Sequence, residues 1–325
     1  MHPAFSVIFL TTLIRAGQGL FLALYTVQVY SVFELLPDQD PVNFYSLGGL
    51  IALLLLVAGL FSSFFHLGRP ERAWRSAAMW RTSWLSREVI VLPAFMGTVA
   101  AWVLAHFFGW NPPLFTFRET FEIDLSMVIG AAGTLLAFAL YVCTGMIYAC
   151  IKQLQEWATP LTVINYTFFG LASGFLLATA FASLHGSGLV DFLGGWAIFA
   201  TVVVFFTRSA SLIRNGRLKH KSTLETALGV RHNRLEQKSQ GFMGGSFNTR
   251  EFFHGASPRK YRFVKWLFLF LVFPAPLLLV SAGIGTENSG LLIAAFLTQY
   301  AGLMAERWFF FAQANHPQNL YYQTV

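Results

Sequence analysis

The 325-residue chain is 55% hydrophobic and 11% charged, with a mean hydropathy of +0.56 and a formal net charge of +7. Soluble domains carry about 25% charged residues, so a soluble enzyme or binding module is excluded. Eight apolar runs recur along the chain, each long enough to cross a hydrocarbon layer roughly 30 Å thick. They predict an all-α polytopic membrane protein, with eight transmembrane helices in one integral membrane domain over 1–325.

The first run, 4–33, has no basic residues ahead of it and is far longer than the roughly 7–15 residues of a signal-peptide core. It is expected to remain as helix one. Arg15 and Gln18 lie on one of its faces, three residues apart, with Arg15 about 16 Å into the bilayer at 1.5 Å per residue. The second run, 44–66, ends at His66. It leads into "FHLGRPERAWRSAAMWRTSWLSREVI", which holds one histidine, five arginines, two glutamates and three tryptophans between two apolar spans. Charged groups near hydrocarbon are costly unless they pair or serve a function. Arg87 and Glu88 open the third run, 88–109.

Cys143 and Cys150 share a face of the fourth run, 123–150. They lie two helical turns apart, too far for a disulfide, and read as small core residues. Runs five and six cover 161–184 and 189–207. A long polar connection, 208–262, follows. Pro274 and Pro276 interrupt run seven, 263–283, and run eight, 288–312, carries Glu306 and Arg307 near its end.

Nineteen of the 22 basic residues fall in connections that share one side of such a bundle: after spans two, four and six. The positive-inside rule places those connections and both termini in the cytoplasm. A basic balance of this kind fits contact with anionic lipid. Because the charge follows topology, nucleic acid is not an expected partner. The connection 208–262 predicts a short helix near Ser222–Leu228. Its large apolar residues (Phe242, Met243, Phe247, Phe252 and Phe253 lie close in sequence) suit a docking platform for a cytoplasmic partner, with a lid on the protein's own helices as the simpler reading.

On this topology His66, Glu88, Arg15, Gln18, Glu306 and Arg307 all reach the inner leaflet. Structural ion pairing alone is the simpler reading of the set: Arg15 with Glu306, or Arg87 and Arg307 lying outward as anchors. A quinone head group explains more of it. It needs hydrogen-bond donors at two carbonyl oxygens and groups that exchange two protons, for which a histidine and a partly buried carboxylate are suited. Haem requires histidines at matching depth. His106 and His185, both at outer span ends, are the one pair of comparable depth, and no inner pair exists. Cysteine motifs for iron–sulfur clusters or c-type haem do not occur, and "GFMGG" lacks the features of a phosphate loop. No metal ligand set is expected.

The motifs "HLGRPERAWRS" and "TSWLSREV", with the ending "ERWFFFAQANHPQNLYYQ", resemble those of the DmsC-like membrane anchor subunits of molybdopterin oxidoreductases. The resemblance extends over the whole chain. The insert "QKSQGFMGGSFNTREFFHG" is similar to that of anchors from quinone-linked sulfite dehydrogenases. It implies a subunit of the bacterial cytoplasmic (inner) membrane that holds an iron–sulfur electron-transfer subunit and a molybdopterin catalytic subunit. Quinone would be its exchangeable substrate. The [4Fe-4S] clusters and molybdopterin would lie in the partners, with no haem or cluster in this chain. By motif the quinone-binding histidine and glutamate fall on His66 and Glu88, the second within "SREV" rather than the more usual "SREI". Arg69 belongs to the same motif as His66. Arg15, Gln18, Glu306 and Arg307 join the candidate site on the depth argument alone.

Two further classes stay open at this level. A transporter would show inverted repeats and matching broken spans, and the break at Pro274 and Pro276 has no counterpart in a second half. A passive anchor without a quinone site is disfavoured by the inner-leaflet charges. The direction of electron flow, quinone reduction as with sulfite or quinol oxidation as in a dimethyl sulfoxide reductase, depends on the partners.

Overall fold

A computed structural model describes residues 2–117, 121–185, 188–219, 222–232, 234–236, 254–317 and 319. Its long helices are α1 (Phe5–Val32), α2 (Leu47–Ser63), α3 (Trp84–Phe107), α4 (Leu125–Ala149), α5 (Pro160–Leu184) and α6 (Val190–Gly216). After the short α7 (Leu224–Leu228) come α8 (Pro258–Val272), α9 (Pro274–Gly285) and α10 (Ser289–Gln313). Seven stretches among the described residues are long and apolar enough to cross a membrane, with Pro258–Gly285 counted as one. The last helix, α10, has 25 residues but carries Gln299, Glu306 and Arg307.

Helix α1 is the centre of the bundle and contacts α2, α4, α5 and α10. Glycine makes the approach possible. A Cβ on Gly17 would lie 2.8 Å from the Ala52 carbonyl oxygen of α2, and one on Gly19 would run into the Gly170 backbone of α5. Large apolar side chains point outward around the bundle, among them Leu54, Phe61, Leu135, Phe206, Trp266 and Leu278. Such a rim is stable when hydrocarbon replaces water as its solvent.

Most helix starts have side-chain caps. Ser83, Asp124, Thr159, Ser257 and Asn288 each accept from a backbone N–H in the first turn that follows. The break between α8 and α9 falls at Phe273 (φ −110°, ψ −81°). Proline has no N–H to give the carbonyl four residues earlier, so Pro276 leaves the Val272 carbonyl without its helical donor. Gln299 Nε2 supplies one at 3.4 Å and also donates to Thr201 Oγ1 at 3.2 Å.

Two features depart from the expectations above. A two-stranded antiparallel hairpin, β1 (Pro113–Phe117) with β2 (Phe121–Asp124), links α3 to α4 in a fold expected to be wholly helical. The sixth helix also runs on to Gly216 and α8 begins at Pro258, so both ends of the supposed connection 208–262 are helical. Within it, Leu224–Leu228 forms the expected short helix, closed by a Thr223–Thr226 capping box and by Gly229 at φ +68°. Phe242, Met243, Phe247, Arg250, Phe252 and Phe253 lie outside the described residues.

Candidate functional site

Past Ser63 the chain leaves α2 through His66 and Arg69, makes a 3-10 helix over Pro70–Met79, and re-enters the bundle at Trp84. This excursion roofs a cavity of ≈ 450 Å³, within the range of sites for small organic ligands. Its ionisable groups are His66, Arg69, Arg72 and Glu88, and its apolar wall includes Leu10 and Ile14 of α1, Leu60 of α2, and Leu85, Leu92 and Pro93 of α3. Pro93 is a helix-interior proline, so the carbonyl of Val89, another lining residue, lacks its helical donor.

Arg87 does not line this cavity but braces its roof. Its Nε donates to the Trp80 carbonyl at 2.9 Å and its Nη2 to the Arg81 carbonyl at 2.7 Å, while the guanidinium lies 4.2 Å from the Trp84 ring. Glu88 accepts a hydrogen bond from Thr144 Oγ1 of α4. His66 has an exposed side chain, and partial desolvation against the cavity lowers its pKa from the ordinary histidine value. Around neutral pH its imidazole is therefore uncharged.

The other four candidates lie elsewhere. Gln18 is fully buried, and its Nε2 donates to the Ala137 carbonyl at 3.1 Å, pinning α1 to α4. Arg15, Glu306 and Arg307 border a separate, much smaller gap of ≈ 10 Å³. On the pairing reading Glu306 would meet Arg15, but the structure pairs that carboxylate with Arg208 Nη2 at 2.8 Å. Arg307, an outward anchor on the same pairing reading, is instead 2% exposed and stacked over Tyr148 and Phe310, each at 4.4 Å. Charge counting along the sequence assigns Arg208 to the loop that follows span six. The signal of its burial is present in the spacing, since Ala197, Thr201, Val204, Arg208 and Ser211 form one buried face of α6.

At the opposite end of α3, His106 lies in the last turn and is 3% exposed. It stacks on Tyr45 at 4.8 Å and meets the Trp102 edge at 4.6 Å. Beside it runs a polar chain: Trp102 Nε1 donates to Gln28 Oε1, Gln28 Nε2 to Ser126, and Ser126 to Asp124. His185 Nδ1 lies 2.9 Å from the Phe181 carbonyl oxygen. Among the described residues there is no group of three or more histidine, cysteine, aspartate or glutamate side chains placed to hold a metal ion.

The family described as DMSO reductase anchor subunit (DmsC) matches residues 1–322. A sulfite dehydrogenase subunit of Allochromatium vinosum is 58% identical over 325 residues, which is 100% of each chain.

Proposed function

The chain belongs to the DMSO reductase anchor subunit (DmsC) family, and on that premise we propose that the cavity of His66, Arg69 and Glu88 is where this anchor exchanges electrons with membrane quinone. One observation carries the reading. The histidine, arginine and glutamate of two separate motifs converge on a single cavity with apolar walls. His66 and Arg69 offer N–H donors to the quinone oxygens, and Glu88 moves a proton. The apolar wall from α1, α2 and α3 receives the isoprenoid tail.

Reduction of quinone to quinol takes up two electrons and two protons. The electrons come from a [4Fe-4S] cluster of an iron–sulfur partner, and the protons enter past the rim at His66. Full-length likeness to a sulfite dehydrogenase subunit favours sulfite as the donor at a molybdopterin partner. There, sulfite and water give sulfate, two protons and the two electrons.

We place α10 as an eighth span. Its polar residues Gln299, Glu306 and Arg307 are all buried, which leaves an apolar outer face for lipid. Charge asymmetry puts both termini, the His66 roof and the segment after α6 on the cytoplasmic side of a bacterial inner membrane. That segment, Ser222–Pro258, docks the iron–sulfur subunit. Charge reversal at Arg250 with Phe253→Ala is expected to release the soluble subunits from membranes while this chain stays inserted, and their full retention would count against docking there.

The central test compares two activities on intact membranes. Glu88→Gln or His66→Ala should leave oxidation with an artificial soluble electron acceptor intact and lower quinone-coupled turnover by about 10²-fold or more, the size of a lost proton-transfer group. Unchanged quinone turnover in both variants ends the assignment.

A further inference from the structure

Arg15, Arg208 and Arg307 come from three helices, α1, α6 and α10, and each is 2% exposed. Guanidinium groups do not deprotonate in proteins, so the packed interior holds three fixed positive charges. Glu306 answers one of them through Arg208 Nη2. Arg307 donates from Nε to Thr11 Oγ1 at 3.2 Å and rests against aromatic faces. Arg15 donates from Nε to the Thr11 carbonyl at 3.2 Å and lies 4.3 Å from the Tyr166 ring.

Each arginine still has a nitrogen with no partner among the described residues: Arg15 Nη2, Arg208 Nε and Arg307 Nη2. All three side chains border the same ≈ 10 Å³ gap, together with Glu306 and Asn165. That volume is about one water-sized sphere. Stranded donors on buried charges are costly, more so than neutral ones. A water can accept only two of these three hydrogen bonds and leaves the charge, because the lining brings three cations and one carboxylate. Glu88 acts on Arg307 from outside this lining.

We propose that the gap binds one halide-sized monoanion, with chloride as the cellular occupant. The anion accepts from the three unpartnered guanidinium nitrogens and adds to the single countercharge that Glu306 gives the three arginines. It thereby ties α1, α6 and α10 together. This site is independent of the quinone assignment and stands or falls separately.

The test uses the assembled complex exchanged into bromide. Anomalous scattering at the bromine edge should give one peak within hydrogen-bonding reach of Arg15, Arg208 and Arg307. Density without anomalous signal there means a water and overturns the proposal. The wild-type complex should also unfold at higher temperature in chloride or bromide than in gluconate of equal ionic strength, and equal melting in all three would likewise overturn it. Arg15→Met should remove both the peak and the halide dependence, and persistence of either in that variant counts against the site. If that variant fails to assemble, the bromide measurement on the unaltered complex still decides.

Discussion

The hydroxyl of Thr144 on α4 donates to the carboxylate of Glu88 on α3. Thr144 is outside the cavity lining and Glu88 is within it, so the bond holds the carboxylate from a residue beyond the cavity wall. Thr144→Val preserves shape and removes the donor. Hydrogen bonds to charged groups contribute about 1.5–3 kcal/mol, so quinone-coupled turnover should fall roughly tenfold or more, with artificial-acceptor activity unchanged. Thr144→Ser should restore it. A parallel loss of both activities would point to folding instead of positioning.

Partial desolvation lowers the His66 pKa, which fixes the sign of a pH effect. A lowered pKa keeps the imidazole neutral to more acid pH than the usual value of about 6.5. Neutral imidazole has one donor and one acceptor, whereas imidazolium only donates. Arg69, Arg72 and Glu88 share its cavity. Quinone-coupled activity, divided by artificial-acceptor activity, should therefore stay level near neutrality and decline on the acid side below that value. His66→Gln should lack this acid limb. An identical limb in the variant would remove His66 from the proton step.

Apolar length makes most of the spans legible in the sequence, and the motif pair at His66 and Glu88 leads to residues that share a cavity. Depth, by contrast, is a poor guide to side-chain company. Arg15, Glu306 and Arg307 lie at a level where sequence alone would merge them with His66, yet helix rotation turns them into a different interface. Arg208 is hidden because a hydropathy pattern ends a span at its first charge, whereas the chain extends α6 and pairs that charge with Glu306. The hairpin after α3 leaves no clear mark, since "PPLFTF" and "FEID" are too short for an alternating pattern to stand out.

The Arg208–Glu306 pair makes its own prediction. Each partner is about 3% exposed at the side chain. Arg208→Met strands the carboxylate, and breaking a buried pair on one side costs about 3–5 kcal/mol. Thermal unfolding of the solubilised complex should show a marked loss for this variant. Arg208→Met with Glu306→Leu should recover part of it, because no unpaired charge is left between the two positions. If the double variant is no more stable than the single one, the pair is not what holds α6 to α10.

Helix contact between α1 and α5 rests on backbone against backbone. A Cβ on Gly174 would run into Gly19, and one on Gly19 into Gly170. Inside a bilayer, packing of this kind replaces the hydrophobic drive that water would provide. Gly174→Ala therefore has to push the central helix away from α5, which also loosens Tyr166 from the Thr11 carbonyl. Gly97 on α3 is the matched control, with nothing within 4 Å of an added Cβ. Alanine there is expected to be neutral or to stabilise by about 0.5–1 kcal/mol, because glycine is a poor helix residue. Gly174→Ala should lose at least about 1–3 kcal/mol from overpacking. Unfolding temperatures and yields of assembled complex, measured for the two variants side by side, should separate clearly. Equal behaviour would mean that α1 and α5 are not held at this distance in the membrane.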